Sequence, residues 1–171
     1  MIQKCNLMRV AAVFFKEPTT IHFIKEIGRN IELAPTSVKN YVEELKKENL
    51  VISVKAKPFP ALMANQKAKE FLFEKRIYNL YSLKETILQL EAKYTPQAMI
   101  LYGPYAKGED TEASAIDILI LTKSKDSIPL KELEDKLKRK LHLVLTDSLS
   151  KLDKPLLLAI KNGTLLQGVW P

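Results

Sequence analysis

The chain has 171 residues, 46% hydrophobic and 27% charged, the balance of a folded, water-soluble protein rather than a disordered one. No apolar run approaches the roughly 18 to 20 residues that a membrane-spanning helix needs. Met1 to Arg9 lacks the charged-then-apolar pattern of a secretory signal, and a single Cys5 cannot pair within the chain, so a cytoplasmic setting is expected.

The formal charge of +7 is unevenly placed: +4 over residues 1–64, +2 over 65–97 and +1 over 98–171. A basic segment suits a polyanion such as DNA, because neutralising phosphates releases condensed counterions. Charge alone leaves a solvated lysine-rich face as the alternative.

Leu7, Val10, Ala11, Phe14 and Phe15 recur at three- and four-residue steps and predict a first helix, ended by Lys16-Glu17-Pro18. Thr19 or Thr20 is placed to cap a second, with Ile21, Ile24 and Ile27 as its apolar stripe and Gly28 as its stop. On this reading His22 lies within that helix, with no second His or Cys at metal-ligand spacing. A short connection, Arg29 to Ala34, leads to Pro35 at a first helical position, and Val38, Tyr41, Val42 and Leu45 give a third helix its inward face. Its outward face is Thr36, Ser37, Lys39, Asn40, Glu43, Lys46 and Lys47. Val51 to Lys55 then alternates as a strand does, Lys55 to Pro60 reads as a loop tip, and Ala61-Leu62-Met63 as the returning strand.

Helical spacing resumes from Asn65 to Tyr94, with Ser82 and Glu85 at the separation of a capping box. The stretch reads as a linker or a dimer-forming pair of helices, and core packing explains its apolar residues equally well. From Thr95-Pro96 onward strands and helices alternate: strands over Ala98–Tyr102, Ile116–Thr122 and Leu141–Leu145, a helix over Pro129–Lys140 capped by Ser127, and a last helix over Lys154–Asn162 stopped by Gly163. Cys5 lacks a catalytic partner and is expected as a small packing residue.

Helix, helix, turn, helix and hairpin over Leu7–Met63, with Ala34-Pro35-Thr36-Ser37-Val38 opening the third helix, resembles the winged helix-turn-helix domains of transcriptional regulators. That resemblance implies a recognition helix for the DNA major groove. Thr36, Ser37, Lys39 and Asn40 would approach base edges and phosphates, Lys46 a phosphate or guanine, and Lys55 and Lys57 the adjacent backbone.

Tyr102-Gly103-Pro104-Tyr105-Ala106-Lys107-Gly108, followed by Ser114-Ala115-Ile116-Asp117-Ile118, resembles the minimal nucleotidyltransferase family of the DNA polymerase beta superfamily, over roughly residues 96–170. The family's chemistry is phosphoryl transfer assisted by two metal ions that carboxylates hold. Alternate Asp residues on a strand point into one site, yet the first of that pair is Ala115 here and only Asp117 remains. The family's third carboxylate aligns with His142, a poor magnesium ligand, and its phosphate-holding Ser with Pro104. Asp147 is a further carboxylate that could move in to help, yet one or two carboxylates without the paired Asp would hold metal weakly. Gly103, Lys107, Gly108 and Asp117 are thus expected as a remnant nucleotide site, with no catalytic residue, cofactor or metal.

The expected architecture is α+β: a winged helix at 1–64, a helical linker or dimerisation segment at 65–95 and a nucleotidyltransferase-like α/β domain at 96–171. The expected function is a DNA-binding transcriptional regulator whose second domain is a pseudoenzyme serving as scaffold, ligand sensor or dimerisation body. Double-stranded DNA and a second copy are the expected partners, a nucleotide is a further candidate ligand, and no membrane is involved. Two alternatives stay open: an active nucleotidyltransferase that modifies a protein or RNA, antitoxin-like, and a protein–protein interaction module.

Overall fold

Helix α1 (Asn6–Lys16) forms where the sequence spaces Val10, Ala11, Phe14 and Phe15 along one face, and all four are buried. In the computed structural model, which describes residues 5–57, 59–124, 126 and 128–170, this face packs with Ile27, Val38, Val42 and Phe71 into one core. Helix α2 (Ile24–Asn30) starts later than its apolar stripe implied. Ile21 is exposed, Phe23 takes the N-cap position without a side-chain cap, and neither Thr19 nor Thr20 caps it. The reason is tertiary: His22 exchanges both backbone hydrogen bonds with Leu62, at 2.8 and 2.9 Å, so this segment is held extended. Gly28 lies inside α2 rather than after it, and a Cβ there would stand 2.7 Å from the Leu33 carbonyl oxygen where the chain turns back.

Helix α3 (Pro35–Lys47) begins with Pro35 in its first turn and buries Val38, Val42 and Leu45. Strands β1 (Val51–Val54) and β2 (Ala61–Ala64) pair antiparallel, Val51 opposite Ala64 and Val54 opposite Ala61. Helix α4 (Lys69–Ser82) follows. Two compact units result, Met1–Tyr78 and Asn79–Pro171, and the boundary falls inside α4.

In the second unit α5 (Lys84–Tyr94) has Leu83 at its N-cap, without a side-chain cap. Ser82 instead ends α4, its hydroxyl donating to the Asn79 carbonyl at 2.7 Å and lying 2.9 Å from the Tyr105 hydroxyl. Strand β3 (Ala98–Tyr102) is buried along its whole length, and so reads as a continuous apolar run. A short helix α6 (Gly103–Lys107), not anticipated from the sequence, leaves its end, and β4 (Ile116–Leu121) returns antiparallel beside β3. Helix α7 (Leu130–Leu137) is shorter than the expected Pro129–Lys140. Pro129 holds its N-cap position, and Lys138 turns left-handed with φ 53° to end it. Ser127, the expected cap, lies outside the described residues.

Strand β5 (Leu141–Thr146) runs parallel to β4. Helix α8 (Lys154–Lys161) is capped by Asp153, whose carboxylate accepts from the Leu156 N–H at 2.9 Å. A further strand, β6 (Thr164–Gly168), unanticipated, pairs antiparallel with β3 and gives a four-stranded sheet ordered β5-β4-β3-β6. Gly163 makes that approach possible, since a Cβ there would lie 2.6 Å from the Leu101 carbonyl oxygen. One face of the sheet packs Met99, Leu101, Ile116, Ile118 and Ile120 against α5 and α7; the other packs Ile100, Leu119 and Tyr102 against Ile160 of α8. The architecture is α+β, and no helix among the described residues is long and apolar enough to cross a membrane.

Candidate functional site

Two regions hold the residues that carry chemistry, one in each unit. In the first, α3 presents Thr36, Lys39 and Asn40 to solvent, because Val38, Val42 and Leu45 fix its opposite side in the core. Among the described residues neither Lys39 nor Asn40 has a side-chain hydrogen bond or ion pair, so their donors are uncommitted. Ser37 is half-buried. Lys46 is less available than its position on the helix suggested: it is 27% exposed, and its ammonium donates to Glu43 at 3.0 Å. Lys55 and Lys57 are exposed on the connection between β1 and β2; Pro58, beside them, lies outside the described residues. His22 is not a surface residue. It is 2% exposed, its Nε2 lies 3.3 Å from the Glu17 carbonyl oxygen, and its ring meets Phe14 edge-on at 5.3 Å. Cys5, expected to pack, is exposed at the N-cap of α1, outside the buried face of that helix.

The second region sits where β3 ends and β4 begins. Asp117 and His142 are neighbours across the parallel β4–β5 ladder, which brings His142 Nδ1 to 3.1 Å from Asp117 Oδ1. The other carboxylate oxygen lies against Gly103: a Cβ on that glycine would stand 2.5 Å from Asp117 Oδ2. Gly103 and Gly108 bracket α6, both with φ 75°, a conformation that glycine adopts without steric cost. Lys107 is exposed at the end of α6, and Pro104 is exposed in its first turn. Tyr102 is opposite Asp117 on the antiparallel ladder, and burial, with the Asp117 charge second, raises its phenol above the ordinary range.

Residues 83–161 match the family model of the nucleotidyltransferase domain. The chain therefore carries a nucleotidyltransferase-like domain. The matched region opens at Leu83 and so takes in α5, which the motif-based resemblance starting near residue 96 did not include. Among curated proteins no relative matches the chain.

Among the described residues, the donor set at the head of β4 does not fit a pair of catalytic metal ions. Asp117 is the one carboxylate on β4, Ala115 offers no ligand atom, and Asp117 already accepts from or abuts two neighbours. Among the described residues no group of three or more His, Cys, Asp or Glu side chains could hold an ion. Asp147 does not supply what is lacking: it follows the far end of β5, about 16 Å along the strand from His142 at some 3.3 Å per residue, and pairs with Lys151 at 2.6 Å.

One charged cluster escaped the sequence reading. Asp110 is 2% exposed and accepts from Asn79 Nδ2 at 2.7 Å, with Arg139 at 3.8 Å; Arg139 also donates to the Thr111 carbonyl. The cluster fastens the segment between α6 and β4, and no local pattern could have disclosed it, because its members are far apart in the chain. Nearby, Glu134 accepts from the Leu141 N–H at 3.0 Å at the start of β5, and that bond, aided by Lys140, holds its carboxyl below the usual range.

Proposed function

We propose that the chain is a DNA-binding transcriptional regulator: its first unit acts as a winged helix on double-stranded DNA, and its nucleotidyltransferase-like domain has lost metal-dependent transfer. The observation that carries this reading is the contrast between uncommitted donors on α3 and the single engaged carboxylate on β4. A helix about 10 to 12 Å across fits the major groove. Asn40 offers a donor and an acceptor to adenine, Lys39 a cation to phosphate or guanine, and Lys55 and Lys57 contact the backbone beside them. The first unit holds fourteen Lys and Arg against eight Asp and Glu, so +6 of the chain's +7 resides there.

Titration of fluorescent genomic DNA fragments against salt tests the first half. Affinity should fall steeply and log-linearly as salt rises, as counterion release requires; absence of binding at low salt contradicts it. Incubation with labelled nucleoside triphosphates and magnesium or manganese tests the second half. Transfer of label that disappears in Asp117→Ala would make the domain an enzyme and overturn the reading.

A further inference from the structure

The first unit has a second surface whose chemistry is opposite to that of the α3 face. A groove of about 830 Å³ opens between α1, the end of α3 and the start of α4, floored by Met8, Ala11, Phe15, Leu45 and Leu50. Phe73 stands on its wall with 62% of its surface exposed, and Ile77, one turn further along α4, is 49% exposed. Four of the eight acidic residues of this basic unit, Glu44, Glu48, Glu70 and Glu74, line the groove, with Lys47 and Lys69. An apolar trough edged by carboxylates repels phosphate and fits an apolar segment that carries cations.

Such a segment lies on α4 itself. Lys69, Glu70, Phe73, Arg76 and Ile77 are all exposed and share one face. At about 100° per residue, Lys69 and Arg76 fall on one side of Phe73, and Glu70 and Glu74 on the other. The strip is therefore self-complementary: apolar in the middle, basic along one edge and acidic along the other. A two-fold axis running along α4 sets the basic edge of one copy against the acidic edge of the next, as an isologous interface requires. We propose that the groove seats a second copy of this chain, with Phe73 of each copy entering the groove of the other and Glu70 facing Lys69 of the partner subunit. The proposal does not depend on DNA binding.

Sedimentation of the full chain tests it without DNA. The wild type should sediment as a concentration-dependent dimer, and Phe73→Glu should weaken dimerisation at least about tenfold, as loss of a central aromatic anchor does. Lys69→Glu should weaken it as well, and Lys69→Glu combined with Glu70→Lys should restore it. A melting curve checks that each variant folds. Cys5, the chain's single cysteine, lines the groove, so its thiol-labelling rate should slow as wild-type concentration rises and should not slow in Phe73→Glu. A monomeric wild type, a dimer indifferent to Phe73→Glu, or a charge swap that fails to restore association would overturn the proposal.

Discussion

Polar side chains gather on the exposed face of α3 and at the head of β4, and the two regions differ in what those side chains are doing. On α3, Lys39 and Asn40 have no side-chain partner among the described residues, and the helix beneath them is anchored by three buried apolar residues. At the head of β4, Asp117 is held by His142 and packed on Gly103. Donors left without internal partners on a rigid element are available to a ligand, and on the proposed reading the carboxylate bonded within the sheet serves the scaffold. On β4 itself Asp117 is the one carboxylate, and Ala115 stands two residues before it.

The sharpest way to break this contrast is to damage the sheet. Ile118 is fully buried on β4, and Ile118→Ala should cost about 2–5 kcal/mol in urea unfolding of the second unit. If that unit is scaffold only, DNA affinity of the folded variant should stay within about twofold, as for independent sites. A parallel collapse of DNA affinity would mean that the second unit takes part in recognition.

A smaller effect is expected at Gly103. Replacement by Ala forces a side chain into a left-handed conformation and toward Asp117 Oδ2, at a cost of about 1–3 kcal/mol. Asp117→Ala should relieve the steric part, so a double-mutant cycle should show coupling of about 0.5–3 kcal/mol. Strict additivity would mean that the carboxylate is not seated on the glycine.

The smallest effect is in titration. Tyr102 is raised by burial and, secondarily, by the negative charge of Asp117. Because the folded value exceeds the unfolded one, this stabilisation is complete below the ordinary value of 10.0 and is lost as pH rises through the folded value. Asp117→Asn should move the phenol's ultraviolet titration part of the way back down, and no movement would show that the carboxylate does not act on the ring.

Much of this architecture was legible because its patterns are local. Regular apolar spacing marked α1 and α3, Pro35 marked where α3 begins, and apolar runs marked β3, β4 and β5. Three of the misreadings share a cause, which is long-range pairing. His22 is drawn from a helical pattern by Leu62, Ser82 turns to Tyr105 instead of capping α5, and β6 exists only because β3 offers it an edge. At the candidate site, Asp117 and His142 could be named from the sequence. Their hydrogen bond could not, because it depends on the register of β4 against β5. The groove on the first unit was invisible for the same reason, since α1, α3 and α4 each contribute a part of it.

Fluorescence anisotropy on one DNA fragment at fixed low salt separates the two regions most directly. Lys39→Ala with Asn40→Ala should cost at least about 1–3 kcal/mol, the worth of one bidentate base contact, while Asp117→Ala with His142→Ala leaves affinity unchanged. If the second pair of substitutions abolishes binding and the first does not, the working surface lies on the sheet and the account is wrong.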